Sequence, residues 1–166
     1  PARGGPVVAD GVVYFAAGIW PTEGVFVYAL RADTGEVIWS NTESGRRHMR
    51  QPKEDSLGSG PASQGYLVIT ENNLLVPTGR SLPAAYGLKD GQLQYYFMWE
   101  RDKSGGIISG AGSSTTMSSG GFFFNTGRYF SAKTGVLHRK IGYGAFAGLP
   151  DGFVHGSSNG LTVYRW

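Results

Sequence analysis

Val25–Trp39 reads VFVYALRADTGEVIW. Two apolar runs, Val25 to Leu30 and Glu36 to Trp39, flank the turn Ala32-Asp33-Thr34-Gly35. Valine, isoleucine, phenylalanine, tyrosine and tryptophan in those runs suit a pleated, half-buried surface. Gly35 offers a position of positive φ, so the stretch predicts a β-hairpin.

The signal recurs with decay. Asp90-Gly91 is framed by Ala85-Tyr86-Gly87 and Gln92 to Tyr95, and Thr134-Gly135 by Arg128 to Ser131 and Val136-Leu137. A second marker precedes each unit's apolar run: Asp10-Gly11, Gln64-Gly65, Gly120-Gly121 and Asp151-Gly152. A strand-rich unit returning every 45–55 residues or so predicts a propeller or a β-solenoid.

Ala29-x-x-x-x-Thr34-Gly35-x-x-x-Trp39 resembles the tryptophan-docking repeat of pyrroloquinoline-quinone (PQQ)-type β-propellers, written A-x-D-x-x-T-G-x-x-x-W. Arg31 stands where that motif has Asp. The second copy keeps Ala85 and Gly91 with Tyr95 for tryptophan, and the third keeps Thr134 and Gly135 with Arg139 there. The stretch from Pro61 to Tyr96 is similar to multi-repeat PQQ-like proteins of planctomycetes and other environmental bacteria. The resemblance implies an all-β, quinoprotein-type propeller with about three and three-quarter four-stranded antiparallel blades, part of a seven- or eight-bladed whole. It implies a bacterial protein of the periplasm or cell exterior, and a tryptophan packed between adjacent blades.

Composition agrees with short strands and tight turns. The 166 residues include 27 glycines, 8 prolines and 13% aromatics, with only 16% charged residues, and no window carries the apolar spacing of a long helix. The absence of cysteine excludes a disulfide framework and thiolate metal sites. A formal net charge of +3 is too mild to argue a grip on nucleic acid. No apolar run reaches the length of a membrane span. The ends, Pro1 and Trp166, read as cut from something longer.

Blades are expected over residues 6–40, 61–97, 113–141 and 143–166, with long connections over 41–60 and 98–112. The fourth lacks a strand, which leaves an open edge for remaining blades of the same propeller or a second copy. In the second, Asn72-Asn73 forms the first turn. The connection 41–60 is polar and without periodicity. It carries Arg46, Arg47, His48, Arg50 and Lys53, followed by Glu54 and Asp55.

Chemical signals are sparse. Gly156-Ser157-Ser158-Asn159-Gly160 fits the G-x-S-x-G pattern, but it joins two short strands and reads as a hairpin turn. His48, His138 and His155 share no ligand spacing, Glu54-Asp55 reads as solvated loop charge, and Gly110-Ala111-Gly112 leads into no helix. The basic cluster remains: arginine forks suit carboxylates and phosphates, so Arg46, Arg47, His48, Arg50 and Arg80 are candidates for an anion or partner site.

Two functions follow. One is a non-catalytic binding or scaffold module without cofactor, whose loops meet a protein or polysaccharide partner. The alternative, implied by the resemblance, is part of a PQQ-dependent dehydrogenase holding quinone and calcium, although no stretch matches such a constellation. A sugar-active enzyme would need a carboxylate pair that the sequence does not display.

Overall fold

The computed structural model describes residues 4–19, 24–51, 54–58, 60–79, 81–97 and 116–166. Among the described residues, seventeen strands make up the regular structure apart from one 3-10 turn. The first sheet contains β1 (Val7–Ala9), β2 (Val12–Ala17), β3 (Phe26–Arg31) and β4 (Val37–Asn41). After β5 (His48–Gln51) and β6 (Glu54–Gly58), the second holds β7 (Val68–Ile69), β8 (Asn73–Val76), β9 (Ala84–Gly87) and β10 (Leu93–Tyr95). The third runs through β11 (Met117–Ser119), β12 (Phe122–Asn125), β13 (Arg128–Ser131) and β14 (Leu137–Lys140). The fourth has β15 (Ala145–Leu149), β16 (Gly152–Ser157) and β17 (Gly160–Arg165). Each is an antiparallel meander in chain order.

The recurring turn has one hydrogen-bond pattern in three places. Carbonyls of Arg31, Gly87 and Ser131 accept from the N–H groups of Gly35, Gly91 and Gly135 at 2.9, 2.9 and 2.8 Å. Those glycines have φ of 74°, 66° and 70°. Thr34 Oγ1, Asp90 Oδ1 and Thr134 Oγ1 each accept the N–H two residues on. A short oxygen-bearing side chain followed by glycine is therefore what the turn needs, and threonine or aspartate serves.

Another repeated bond ties each such turn to the first turn of its sheet. Ala32, Leu88 and Ala132 donate through their N–H to the carbonyls of Gly11, Asn72 and Gly121. This alignment corrects the marker Gln64-Gly65. The second sheet's counterpart of Asp10-Gly11 is Glu71-Asn72, and Gly65 lies before β7. The connection 41–60 also differs from a structureless loop. It contains a 3-10 turn at Ser44–Arg46 and the β5–β6 hairpin, where Met49 pairs with Leu57. The connection 98–112 lies outside the described residues.

Period-2 alternation sorts side chains into interfaces between sheets. Leu74, Val76, Ala84 and Tyr86 face Tyr14, Ala16, Val27, Ala29 and Trp39 of the first sheet. Their neighbours Leu75 and Ala85, with Tyr95, face Phe123, Phe130 and Ala132 of the third. Phe124 and Tyr129 then meet Phe153 of the fourth. The second sheet is thus buried on both faces, which explains why β8 reads as a continuous apolar run. First strands of successive sheets stand together, with β11 beside both β7 and β15. Ser118 Oγ donates to Ile69 O at 3.1 Å, and Ser119 Oγ to Leu149 O at 3.1 Å. Radially stacked four-stranded meanders joined in this way are the blades of an all-β propeller.

Candidate functional site

In an antiparallel meander, connections fall alternately at the two ends of the strands. One end carries Asp10, Asp33, Glu36, Glu71, Asp90 and Asp151, offset in part by Arg31, Lys89, Lys133 and Arg165. Arg46, Arg47, Arg128, Arg139 and Lys140 lie toward the other, with Glu43 the acid there among the described side chains. Connection parity thus gathers most of the described acids at one end, while basic residues stand at both.

At the basic end, Arg46 and Arg47 are exposed, but the turn beneath them is fixed. Ser44 and Gly45 are buried, and a Cβ on Gly45 would meet Val25. Ser44 N–H donates to Asn41 Oδ1 at 3.1 Å, and Asn41 Nδ2 reaches Gly91 O at 2.8 Å. Ser44 Oγ lies 2.8 Å from the buried Tyr86 hydroxyl. Burial pushes the Tyr86 phenol far above its ordinary range, while the Ser44 bond and the Arg47 charge pull the other way. Neither arginine has an ion pair among the described residues.

His48 and Arg50 continue the segment along β5, their backbones paired with Gly58 and Ser56. Arg46, Arg47, His48 and Arg50 thus follow one another along a turn and a strand. Arg80 lies outside the described residues. His138 stands apart, tilted against the rings of Phe122 and Tyr129, and His155 packs on Phe146 with its Nε2 3.3 Å from Tyr143 O. The G-x-S-x-G pentapeptide is the β16–β17 turn, with Ser157 Oγ accepting the Asn159 N–H at 3.2 Å.

At the acidic end, sequence reasoning missed a cleft of about 480 Å³ between the first two sheets. Asp10, Tyr14, Glu71, Asn72, Asp90 and Gln94 contribute to its walls. Asp10 sits at φ 50°, in the left-handed region that a short polar side chain tolerates. Tyr14's phenol is held above its ordinary value by burial and secondarily by the Asp10 charge. Carboxylates, amides and a phenol suit hydrogen bonding to hydroxyl-rich or cationic groups. Among the described residues, no three of His, Asp or Glu converge as metal ligands would. No described helix is long and apolar enough to cross a membrane.

No family model matches the sequence, and no curated protein matches it. Among solved structures, the chain is similar to the computationally designed propeller Ika4, at 13% identity over 99% of this chain and 91% of that one, with a TM-score of 0.54. It is similar to BamB from Moraxella catarrhalis at 11% identity, over 99% of this chain and 61% of that one, with a TM-score of 0.43. Quinohemoprotein alcohol dehydrogenase from Comamonas testosteroni matches at 18% identity, over 82% of this chain and 20% of that one, again with a TM-score of 0.43. The chain therefore spans 61% of BamB and 20% of the dehydrogenase. At such identities the likeness to Ika4 bears on fold alone, and with the sheet order and repeated turns it identifies the chain as blades of a β-propeller.

Proposed function

We propose that the chain is a non-catalytic binding module of PQQ-like propeller type, meeting an anionic group on a protein or polysaccharide partner through Arg46, Arg47, His48, Arg50 and Arg80. One observation carries the reading. Arg46 and Arg47 are exposed and free of ion pairs among the described residues, on a turn held by the buried Ser44–Tyr86 contact. A fixed backbone lowers the ordering cost of presenting two guanidinium forks, and such forks bind carboxylate, sulfate or phosphate in pairs. The reading goes with a bacterial protein of the periplasm or cell exterior.

The test uses two defined probes, a polyglutamate peptide and a sulfated polysaccharide, each titrated at low and at physiological salt. The triple variant Arg46→Glu, Arg47→Glu, Arg50→Glu is expected to lose about tenfold or more in affinity and most of the salt dependence. Equal binding by a normally folded triple variant would remove this segment as the binding surface. The dehydrogenase reading makes another demand, for bound quinone and calcium. The described acids do not converge as ligands of a cation would. Adding both and recording the quinone absorbance separates the readings.

A further inference from the structure

The wall of the acidic cleft carries a polar group that packing does not explain. The repeated bonds to the carbonyls of Gly11, Asn72 and Gly121 put three sheets in one register. Three residues on from those carbonyls stand Tyr14, Leu75 and Phe124, which are 7%, 0% and 2% exposed. Each faces the following sheet across its joint. Leucine and phenylalanine show that the fold asks only for apolar bulk at this place. Tyr14 supplies that bulk with a ring 6.0 Å from Trp39, and adds a hydroxyl. The hydroxyl has no hydrogen-bond partner among the described residues, and Tyr14 forms part of the cleft wall. A largely buried hydroxyl without a partner costs stability, which a polar occupant of the cleft would offset.

The rest of the wall says what that occupant must carry. Asp10, Glu71 and Asp90 set three carboxylates against the single ammonium of Lys89. None of the four is ion-paired among the described residues. Carboxylates only accept hydrogen bonds, so the group they suit is a donor with positive charge. The three do not converge as ligands of a metal ion would. They stand instead round a space of about 480 Å³, within the ~300–1,000 Å³ of small-molecule sites. The amides of Asn72 and Gln94, with the Tyr14 phenol, offer neutral partners for hydroxyl groups.

We propose that this cleft binds a small compound carrying an ammonium group beside hydroxyls, the chemistry of an amino sugar. The carboxylates of Asp10 and Glu71 hold the ammonium, and the Tyr14 phenol bonds a hydroxyl. The cleft lies at the opposite end of the strands from Arg46 and Arg47, so either site can be lost without the other.

The probes are glucosamine and galactosamine, titrated at low salt and about pH 6, where the amine is protonated. Glucose is their uncharged counterpart, and amide shifts in two-dimensional NMR of the labelled chain give the readout. Saturable shifts are expected with a half-point below about 10 mM, confined to residues 10–14, 71–73 and 87–94. Glucose is expected to bind about tenfold more weakly or worse. Equal response to glucose, no saturation by either amino sugar, or shifts centred elsewhere overturns the proposal. Tyr14→Phe keeps the ring against Trp39 and is expected to weaken binding about fivefold. Asp10→Asn with Glu71→Gln keeps the side-chain shapes, and asparagine tolerates the left-handed backbone at position 10. That double variant is expected to lose about tenfold or more in affinity, and most of the salt dependence. Unchanged affinity in either variant also overturns the proposal.

Discussion

The joint between the first and second sheets is closed by an indole, and the joint between the second and third by a phenol. Trp39 stands four residues after Gly35, and its Nε1 donates to Leu88 O at 2.9 Å. Tyr95 stands four residues after Gly91, and its hydroxyl donates to Ala132 O at 3.0 Å. Leu88 and Ala132 occupy the same place in their turns, as the bonds from their own N–H groups show. Each ring also covers the turn glycine, Gly91 beneath Trp39 and Gly135 beneath Tyr95. The comparison teaches what the position requires: a flat apolar body to lie on a residue without Cβ, and a polar tip to satisfy one carbonyl. Tryptophan and tyrosine both meet that requirement, which is why the repeat survives a substitution that weakens its sequence signature.

The largest way to break the first joint is Trp39→Ala. The residue is 8% exposed and lies 6.0 Å from the Tyr14 ring, so truncation opens a cavity between two sheets and orphans the Leu88 carbonyl. The expected cost is about 3–5 kcal/mol in urea unfolding. A loss under about 1 kcal/mol would mean that the indole is not holding the joint.

Alkaline pH attacks both joints together. Tyr86 in the first and Tyr95 in the second are buried phenols, and burial raises both above the ordinary value of 10.0. A raised folded-state value for a group neutral below it means that its stabilising contribution is intact below about pH 10. That contribution falls as pH climbs toward the folded-state value. At pH 11 the expected loss is about 1.4 kcal/mol for each phenol. Tyr95→Phe should remove the share of that one phenol, about 1.4 kcal/mol, measured as the change in unfolding free energy between pH 9 and pH 11. A profile flat to pH 11 would contradict the burial of both rings.

A smaller effect separates turn geometry from docking. Gly35 and Gly91 have nearly the same φ, but Gly35 is exposed and open while Gly91 is buried under an indole. Alanine at 35 therefore incurs only the left-handed backbone cost, about 1–2 kcal/mol. Alanine at 91 incurs that cost and displaces Trp39, so its destabilisation should exceed the first by about 1–3 kcal/mol. Equal costs would show that the glycines serve the turn alone.

These joints explain how much was legible in the sequence. The three hairpin turns were readable because glycine and an oxygen-bearing neighbour are both visible as letters. The first turn of the second sheet was read one residue late, at Asn72-Asn73, because Glu71-Asn72 makes it without a glycine to mark it, and the repeat marker was set on Gly65, which lies before β7. The β5–β6 hairpin was hidden because charged and polar residues dominate both strands, with Met49 and Leu57 the one large apolar pair in its register. The basic residues of this hairpin and turn were singled out in advance as chemistry, and their backbone setting was not. The acidic cleft escaped altogether. Its walls come from turns about 60 residues apart in the chain, Asp10 in one sheet and Glu71 in the next. Only the parity of connections in a meander could have brought them together before the fold was known.

The third joint sharpens the comparison by lacking the device. Arg139 stands four residues after Gly135, where the docking aromatic belongs, and it is exposed. What closes this joint lies further in: Phe124 and Phe153 rings 4.6 Å apart, Phe153 stacked on Tyr164 at 4.6 Å, and Phe146 beside Phe124 at 5.2 Å. Aromatic rings of the middle strands thus do for the third joint what the outer strand does for the first two. Arg139→Ala should then change stability by less than about 0.5 kcal/mol, because an exposed charge with no ion pair among the described residues contributes little. Urea midpoints of the two proteins, compared at equal slope, measure this directly. A cost above about 1 kcal/mol would show that the arginine stem lies over the next sheet as tryptophan and tyrosine do, making all three joints variants of one design.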